Sequence, residues 1–417
     1  MSKAKGKRVL MLLENHFPQD VRVRQEAYKL IENGYQVSVI GQYLTGDEPF
    51  TEVINGVKVY RLPLINLFTK GKSSKYKLVK KLYRVLAFAA WILEYLYFTI
   101  ACFWMSVYVW IKDGFDVIHH HNPPNTLWTI AAFYKIFGKK YIFDQHDLSP
   151  QLFLSKFKLE RGGLLYWMLQ LEEKICLYLA DMIIATNESY KRNDLKNKFV
   201  NPESVFVVRN GPNLDKLKLG EPSAELLAKD KKILAYLGVM GPQDGVDYMI
   251  RALKELKDTL GRDDFYCVII GHGDSVKKLN TYKDDLGLNG FVEFKGYLPY
   301  KEWIPYLSAT DVCLEPNPSS PFNDLSTCVK VLEYMALKKS MVSFDLHETR
   351  FSAGDAALYA TPNEELDFAK KIEVLMDDPA KRKEMGEIGY KRITDDLAWV
   401  HVSKNLIAAY NWLFDKN

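Results

Sequence analysis

The sequence predicts an α/β protein of two doubly wound domains facing across a cleft, and three observations carry that prediction. Apolar strand-like runs alternate with helical segments from residue 8 onward, the alternation restarts near residue 232, and a stretch rich in Pro, Gly and charge separates the two series. Apolar strands joined by helices call for parallel sheets with right-handed crossovers. At 417 residues the chain is also too long for one ordinary core.

Each element follows from local pattern. Residues 8–13 are an apolar run suited to a buried strand, followed by a polar loop and a helix over 21–33 that Gly34 ends. Further strands are expected at 36–41, 57–61, 117–120, 140–144, 182–185 and 205–208. Residues 210–230 form the linker. In the second half, strands are expected at 232–237, 266–271, 290–295, 312–315, 340–344 and 357–360, with a helix over 246–260. The domains are therefore expected at 1–212 and 213–395. An amphipathic tail helix at 396–417, bearing Trp399, Leu406, Tyr410 and Trp412, either closes the second domain or crosses back to the first.

Composition excludes several classes. With 48% hydrophobic and 26% charged residues the chain is globular rather than disordered, and a net charge of +4 is too small to point to nucleic acid. Five cysteines (Cys102, Cys176, Cys267, Cys313, Cys328) are odd in number and lack CxxC spacing, which argues against a disulfide framework or zinc site and for a reducing compartment. Residues 1–13 read as a basic tail entering a strand, without the apolar core of a secretory leader. No Asp-x-Asp motif occurs, so no bridging divalent cation is expected. His119, His120 and His121 are consecutive on a strand, where alternation sends neighbours to opposite faces, so the three cannot converge on one metal.

The most informative segment is 323–336, Asn-Asp-Leu-Ser-Thr-Cys-Val-Lys-Val-Leu-Glu-Tyr-Met-Ala. A polar loop turns here into an amphipathic helix with Lys330 and Glu333 one turn apart. Backbone N–H groups near Ser326 and Thr327, with the positive end of the helix dipole, make an anion site. Lys330 adds a charge and Glu333 can accept hydrogen bonds from sugar hydroxyls, so a pyrophosphate flanked by a ribose and a sugar suits the set. The same residues also suit an ordinary capped helix with a Lys–Glu surface pair.

Ligands of doubly wound sheets bind beyond the carboxyl ends of the strands. The loops there carry motifs in order: Asp20-Val-Arg-Val-Arg-Gln-Glu-Ala27, Asp116-Val-Ile-His-His-His-Asn-Pro-Pro124, Phe143-Asp-Gln-His-Asp147, Arg209-Asn-Gly211, Tyr236-Leu-Gly-Val-Met-Gly241, Ile269-Ile-Gly-His-Gly273, Phe294-Lys-Gly-Tyr-Leu-Pro299 and Val331-Leu-Glu-Tyr-Met-Ala336. In this order and spacing the chain resembles the family-4 retaining glycosyltransferases of the GT-B fold, nearest the bacterial branch that builds surface polysaccharides.

The resemblance implies sugar transfer from a nucleotide-sugar with retention at the anomeric carbon, without a metal or other cofactor. It implies that Glu333 holds the ribose, that backbone around Gly296 and Tyr297 frames the base, and that the amides of Ser326, Thr327 and Cys328 hold the phosphates. Gly238, Gly271 and Gly273 would line the donor side, and His146 matches the family's histidine near the reacting centre. His146, Lys330 and Glu333 are thus the expected catalytic residues, with Arg22 and His120 on the acceptor side. Three departures stand out: Leu325 where relatives place a sugar-contacting Glu, and Val239 and Asp244 where they place a phosphate-gripping Arg and Lys. Lys330 and Arg209 are expected to supply the missing charge. These departures also leave room for a catalytically silent nucleotide-sugar-binding subunit of a membrane assembly complex. An epimerase or phosphorylase of the same fold is a further alternative.

Residues 85–111 contain Glu94 as their only charge and follow a run, 70–84, with seven Lys or Arg and no acid. That length exceeds the ~20 residues needed to cross a bilayer. A single crossing would, however, separate the first strands from their sheet partners. The segment is therefore expected to lie in the membrane interface, or else to pack as a core helix pair. The interfacial reading puts the protein peripherally on the cytoplasmic face of the cell membrane, with an anionic surface and a lipid-linked glycan acceptor as partners.

Overall fold

The computed structural model describes residues 6–65, 77–157 and 163–415. The chain forms two compact units: Met1–Pro150, Gly162–Val208 and Ser403–Asn417 make the first, and Gln151–Arg161 with Arg209–Val402 the second.

In the first unit β1 (Arg8–His16), α1 (Val21–Glu32), β2 (Gln36–Gln42), β3 (Thr51–Ile54), β4 (Val57–Leu62), α2 (Lys77–Lys112) and β5 (Val117–His121) are followed by α3 (Trp128–Lys135) and β6 (Lys140–Gln145). Then come α4 (Ser149–Phe157), which runs on into the second unit, α5 (Leu164–Leu179), β7 (Met182–Ala185), α6 (Glu188–Asp194) and β8 (Val205–Val207). The eight strands form one sheet, order β3-β4-β2-β1-β5-β6-β7-β8, parallel except where β3 pairs antiparallel with β4. The sequence reading missed β3. Its turn is Asn55-Gly56, both at positive φ (47° and 86°), the geometry a two-residue hairpin requires.

Chain direction across this sheet decides which face each helix covers. β1→α1→β2 runs one way, whereas β4→α2→β5, β5→α3→β6 and β6→α5→β7 run the other. Right-handed crossovers therefore place α1 on one face and α2, α3 and α5 together on the opposite face. Asp20 caps α1 by accepting from the Val23 N–H at 3.1 Å.

In the second unit α7 (Ala224–Leu227) precedes β9 (Lys232–Leu237), α8 (Val246–Asp258), β10 (Phe265–Ile270), α9 (Val276–Asp285), β11 (Val292–Gly296), α10 (Tyr300–Ala309) and β12 (Val312–Glu315). There follow α11 (Val329–Ala336), β13 (Met341–Phe344), α12 (His347–Ala353), β14 (Ala357–Ala360), α13 (Glu365–Asp377), α14 (Pro379–Arg392) and α15 (Trp399–Asp415), whose residues from Ser403 belong to the first unit. Six parallel strands run in the order β11-β10-β9-β12-β13-β14. The core lies in two layers: Leu253, Phe265, Phe344 and Phe368 belong to one, and Ile233, Val268, Leu307 and Tyr334 to the other. All five cysteines carry free thiols.

Strand order reverses between β1 and β5 in the first sheet and between β9 and β12 in the second. These are the switch points where doubly wound sheets open a crevice. Both candidate constellations stand there.

Candidate active site

The first-unit constellation is built by alternation and register. On β5, His119 and His121 share one face and His120 takes the other. The β5–β6 register sets His121 beside Asp144. From α1, Arg22 and Glu26 reach the same point one turn apart. Arg22 grips Asp144 with two donors, at 2.8 and 3.2 Å, and donates to the Val208 carbonyl at 2.9 Å. It also pairs with Glu26 at 3.1 Å. The Asp144 Oδ2 lies 2.9 Å from His146 Nε2 and 3.1 Å from His121 Nδ1. The Asn122 side-chain oxygen accepts from the backbone N–H groups of His146 (2.6 Å) and Asp147 (3.2 Å), which holds the loop that presents the imidazole. His119 stacks on His121 at 4.2 Å and contacts the Tyr410 hydroxyl at 2.8 Å.

Burial sets the charges of this cluster. It pushes Glu26 well above the usual carboxylate range, against the pull of Arg22. It holds His119 and His121 below the ordinary imidazole value. Asp144 is also buried, yet the charges of Arg22 and then His146 outweigh that penalty and keep it well below its usual value. One ion pair, Arg22 with Asp144, thus neutralises the cluster. Glu26, His119, His121 and Asp144 each offer one ligand atom within 4.8 Å of the others, a grouping that could hold a metal ion. The Arg22 guanidinium on both carboxylates already supplies the positive charge a cation would bring.

Two acceptor-side residues of the sequence reading are found inside the first unit instead. His120 is fully buried, with Nδ1 2.8 Å from the Tyr141 hydroxyl and Nε2 2.9 Å from the Pro124 carbonyl, and burial lowers its pKa to about 3. Arg22 is committed to Asp144, Glu26 and Val208. Both are corrected to supporting roles: His120 lies on a strand buried on both faces, and Arg22 is buried on the inner side of α1, so each polar side chain must find its partners inside.

In the second unit, three adjacent strands end in glycine corners. Gly238, Gly271 and Gly296 all have positive φ, and the Gly271 N–H donates to the Gly296 carbonyl at 2.8 Å. A Cβ at Gly271 would overlap the Gly238 carbonyl oxygen. Gly273 follows at φ 147°, and Tyr297 is 68% exposed with its ring edge to His272. The loop before α11 makes a 3-10 turn at Asn323–Leu325, and Cys328 occupies the N-cap without a side-chain cap bond. Ser326, Thr327 and Cys328 turn their side chains inward, onto the Phe322 carbonyl, Glu348 and Glu315.

Lys330 is buried beside Gly238. Its Nζ donates to Asn317 Oδ1 at 3.1 Å and to the Tyr236 hydroxyl at 3.3 Å, with Glu315 at 3.9 Å. Against the cost of burial, Tyr236, Cys328, Glu315 and Asp244 raise its pKa, so it stays charged. Asp244 bends onto its own loop, accepting from the Gly241 N–H at 2.7 Å and from Gln243 at 3.1 Å. Arg209 pairs with buried Glu348 at 3.2 Å and lies over the Phe351 ring at 4.2 Å. Glu333 is half-buried, and burial, opposed by Lys330, pushes its carboxyl up to about 7.

Sequence reasoning gave no site role to Glu26, Asn122, Asp144 and Tyr410 in the first unit or to Tyr236, Glu315 and Asn317 in the second, and it weighed His121 only as a metal ligand. Glu26 and Asp144 each lay within a quoted motif, at i+4 from Arg22 and two residues before His146. Tyr410 was read only as part of the amphipathic face of the tail helix.

Two family models match the chain: Glycosyltransferase Family 4 over residues 19–216 and Glycosyl transferases group 1 over residues 221–392. Among curated proteins, the alpha-maltose-1-phosphate synthase of Mycolicibacterium smegmatis is 23% identical over 66% of this chain and 73% of that protein. The capsular polysaccharide biosynthesis glycosyltransferase CapM of Staphylococcus aureus is 22% identical over 60% of this chain and 66% of its own length. Among solved structures, the sucrose-phosphate synthase of Thermosynechococcus elongatus superposes with a TM-score of 0.75 at 18% identity, covering 99% of this chain and all of that one. HepE of Anabaena, in complex with UDP-glucose, superposes with a TM-score of 0.67 at 14% identity, covering 96% and 98%.

Proposed function

Because the chain belongs to the family-4 glycosyltransferases of the GT-B fold, we propose that it moves a sugar from a nucleotide-sugar to a lipid-linked glycan, with retention and without a metal. The site of action is the cytoplasmic face of the cell membrane, where the protein sits peripherally and serves cell-surface polysaccharide synthesis. The observation that carries this reading is Lys330, buried and charged one turn before Glu333 at the start of α11. The CapM likeness supports a polysaccharide product, and the HepE complex supports a UDP-sugar as donor class.

In this reading the α11 N–H groups and Lys330 take up the negative charge that builds on the departing phosphate. Glu333 accepts from the ribose hydroxyls. The acceptor oxygen bonds to the anomeric carbon on the face from which the phosphate leaves. The electron pair of the broken bond stays on the phosphate oxygen, which takes the acceptor's proton. His146 would stand near the reacting centre with its Nε2–H donated to Asp144. Asp144 and Arg22 act through His146 as positioning residues.

The test is thermal stabilisation by UDP, GDP, ADP and their sugar conjugates, with and without Mg²⁺, followed by donor hydrolysis. A shift with one nucleotide family, indifferent to the metal and accompanied by slow hydrolysis, supports the proposal. Stabilisation without any turnover, even with membrane lipid added, would favour a silent nucleotide-sugar-binding subunit instead.

A further inference from the structure

The helices α2, α3 and α5 lie side by side on one face of the first sheet. Ring pairs Phe103–Phe133 (5.2 Å) and Trp110–Phe137 (5.1 Å) join α2 to α3 and the turn after it, and Cys176 of α5 reaches the Asn125 carbonyl just before α3 at 3.4 Å. The inner side of α2 is core: Phe98, Cys102, Ser106 and Val109 are at most 1% exposed. Its outer side is an apolar stripe of Leu93, Leu96, Ile100, Trp104, Tyr108 and Ile111, at spacings of three or four residues. Only 33% of the most apolar window of Ile92–Lys112 is buried. On α5 a second stripe runs through Leu164, Trp167, Met168, Leu171 and Tyr178, all exposed. Nothing in the sequence reading singled it out.

Charge decides what covers these stripes. Among the described side chains, Lys112 is the one charge at an exposed position of α2, and Lys174 the one on α5. The acids of both helices are drawn in, Glu173 fully and Glu94 and Glu172 in part. The basic run at 70–84, whose side chains lie outside those described, adds seven positive charges in sequence just before the α2 stripe. A second copy would press like charge on like charge across a two-fold interface. An anionic bilayer offers apolar chains to the stripes, headgroup phosphates to the lysines, and the interfacial depth that Trp and Tyr prefer. Because the inner side of α2 is held in the core, the helix lies along the surface and does not cross it.

We infer that α5 is a second bilayer-contacting element, so that the α2 and α5 stripes together seat the first unit on an anionic lipid surface. The inference deepens the membrane location proposed above and rests on it. It does not depend on sugar transfer.

The test compares the full chain with an α5 variant (Trp167→Ser, Met168→Gln, Leu171→Gln) and an α2 variant (Ile100→Gln, Trp104→Ser). All five residues are exposed or sit on the stripes, and the thermal midpoint checks that each variant folds. Each is sedimented with phosphatidylcholine vesicles and with vesicles that also contain phosphatidylglycerol, and its mass is measured without lipid. The expected result is binding of the parent to the anionic vesicles, weakened about tenfold or more by either variant. An α5 variant that binds like the parent overturns the inference, as does a parent that binds neither vesicle. A parent dimer that the α5 variant dissociates would assign the face to a second copy. Donor-nucleotide stabilisation is read on the same samples, so failure of the transfer reading is told apart from failure of the membrane face.

Discussion

The Asp144 Oδ2 lies 2.9 Å from the Nε2 of His146, and this contact fixes the orientation of the imidazole. A carboxylate only accepts, so Nε2 carries a proton and donates it to Asp144. Asp144 is itself held by two donors of Arg22, from a different element and 122 residues away in sequence. Asp144→Asn should lower kcat by about 100-fold while changing the KM for donor little. It should also cost about 3–5 kcal/mol of stability, because Arg22 loses its buried counter-charge. Steady-state kinetics beside a urea melt separates the two effects. An Asp144→Asn enzyme with parental kcat would remove Asp144 from the positioning role.

Lys330 is the cation proposed to meet the donor phosphates, and Arg209 is already engaged by Glu348. Lys330→Ala should weaken donor binding and lower turnover together, by about 30-fold or more. It also strips buried Glu315 of its nearest cation, so stability should fall as well. Nucleotide titration by calorimetry reads the first effect. Donor affinity and turnover both at parental level would return Lys330 to a purely structural role.

The Glu333 carboxyl, pushed up to about 7 from an unfolded value near 4.5, gives a pH signature. Between those values the native state keeps a proton that the unfolded chain has released. Its contribution to stability is therefore fully present below about 4.5 and is lost as pH rises through about 7. Donor binding should run the opposite way. The ionised carboxylate accepts more strongly from ribose hydroxyls, so affinity should rise through about pH 7 with release of a proton. Glu333→Gln should bind about tenfold more weakly and without that pH dependence. Calorimetry in two buffers of different ionisation heat measures the proton release directly.

Gly271 tests the backbone of the donor side. Its φ of 141° and the nearness of the Gly238 carbonyl leave no room for a side chain. Gly271→Ala should cost several kcal/mol, on the order of 2–4, and should lower nucleotide-induced stabilisation. The change Gly261→Ala, at a φ of 68° with open space around it, should cost only about 1 kcal/mol. Thermal melts of the two variants with and without nucleotide give the comparison.

Much of this was legible in the chain. The parallel sheets followed from apolar runs spaced by helices, and twelve of the thirteen expected strands fall within two residues of those found at both ends. The thirteenth, β1, runs three residues past its expected end to His16. β3 was overlooked because the sequence reading weighed apolar runs and passed over the Asn55-Gly56 turn signal. At the sites, glycines at strand ends and the Lys330–Glu333 spacing were visible because they are local. His120 was misplaced because a histidine at a strand end looks the same in sequence whether it meets solvent or, as here, Tyr141 and Pro124.

The sequence by itself determined the alternation that makes two parallel sheets, the glycine corners at their carboxyl ends, and the helix that brings Lys330 and Glu333 to one side. These depend on periodicity and φ preference over a few residues. Only the tertiary structure decided which polar groups are spent on one another. Arg22, Glu26, His119, His121, Asp144 and Tyr410 meet although they come from four separated segments. Their charges depend on burial and on neighbours within a few ångströms, which no local pattern records. The same holds for the α5 stripe: its residues are apolar in sequence like any core helix, and only packing shows that α3 and the sheet leave them uncovered.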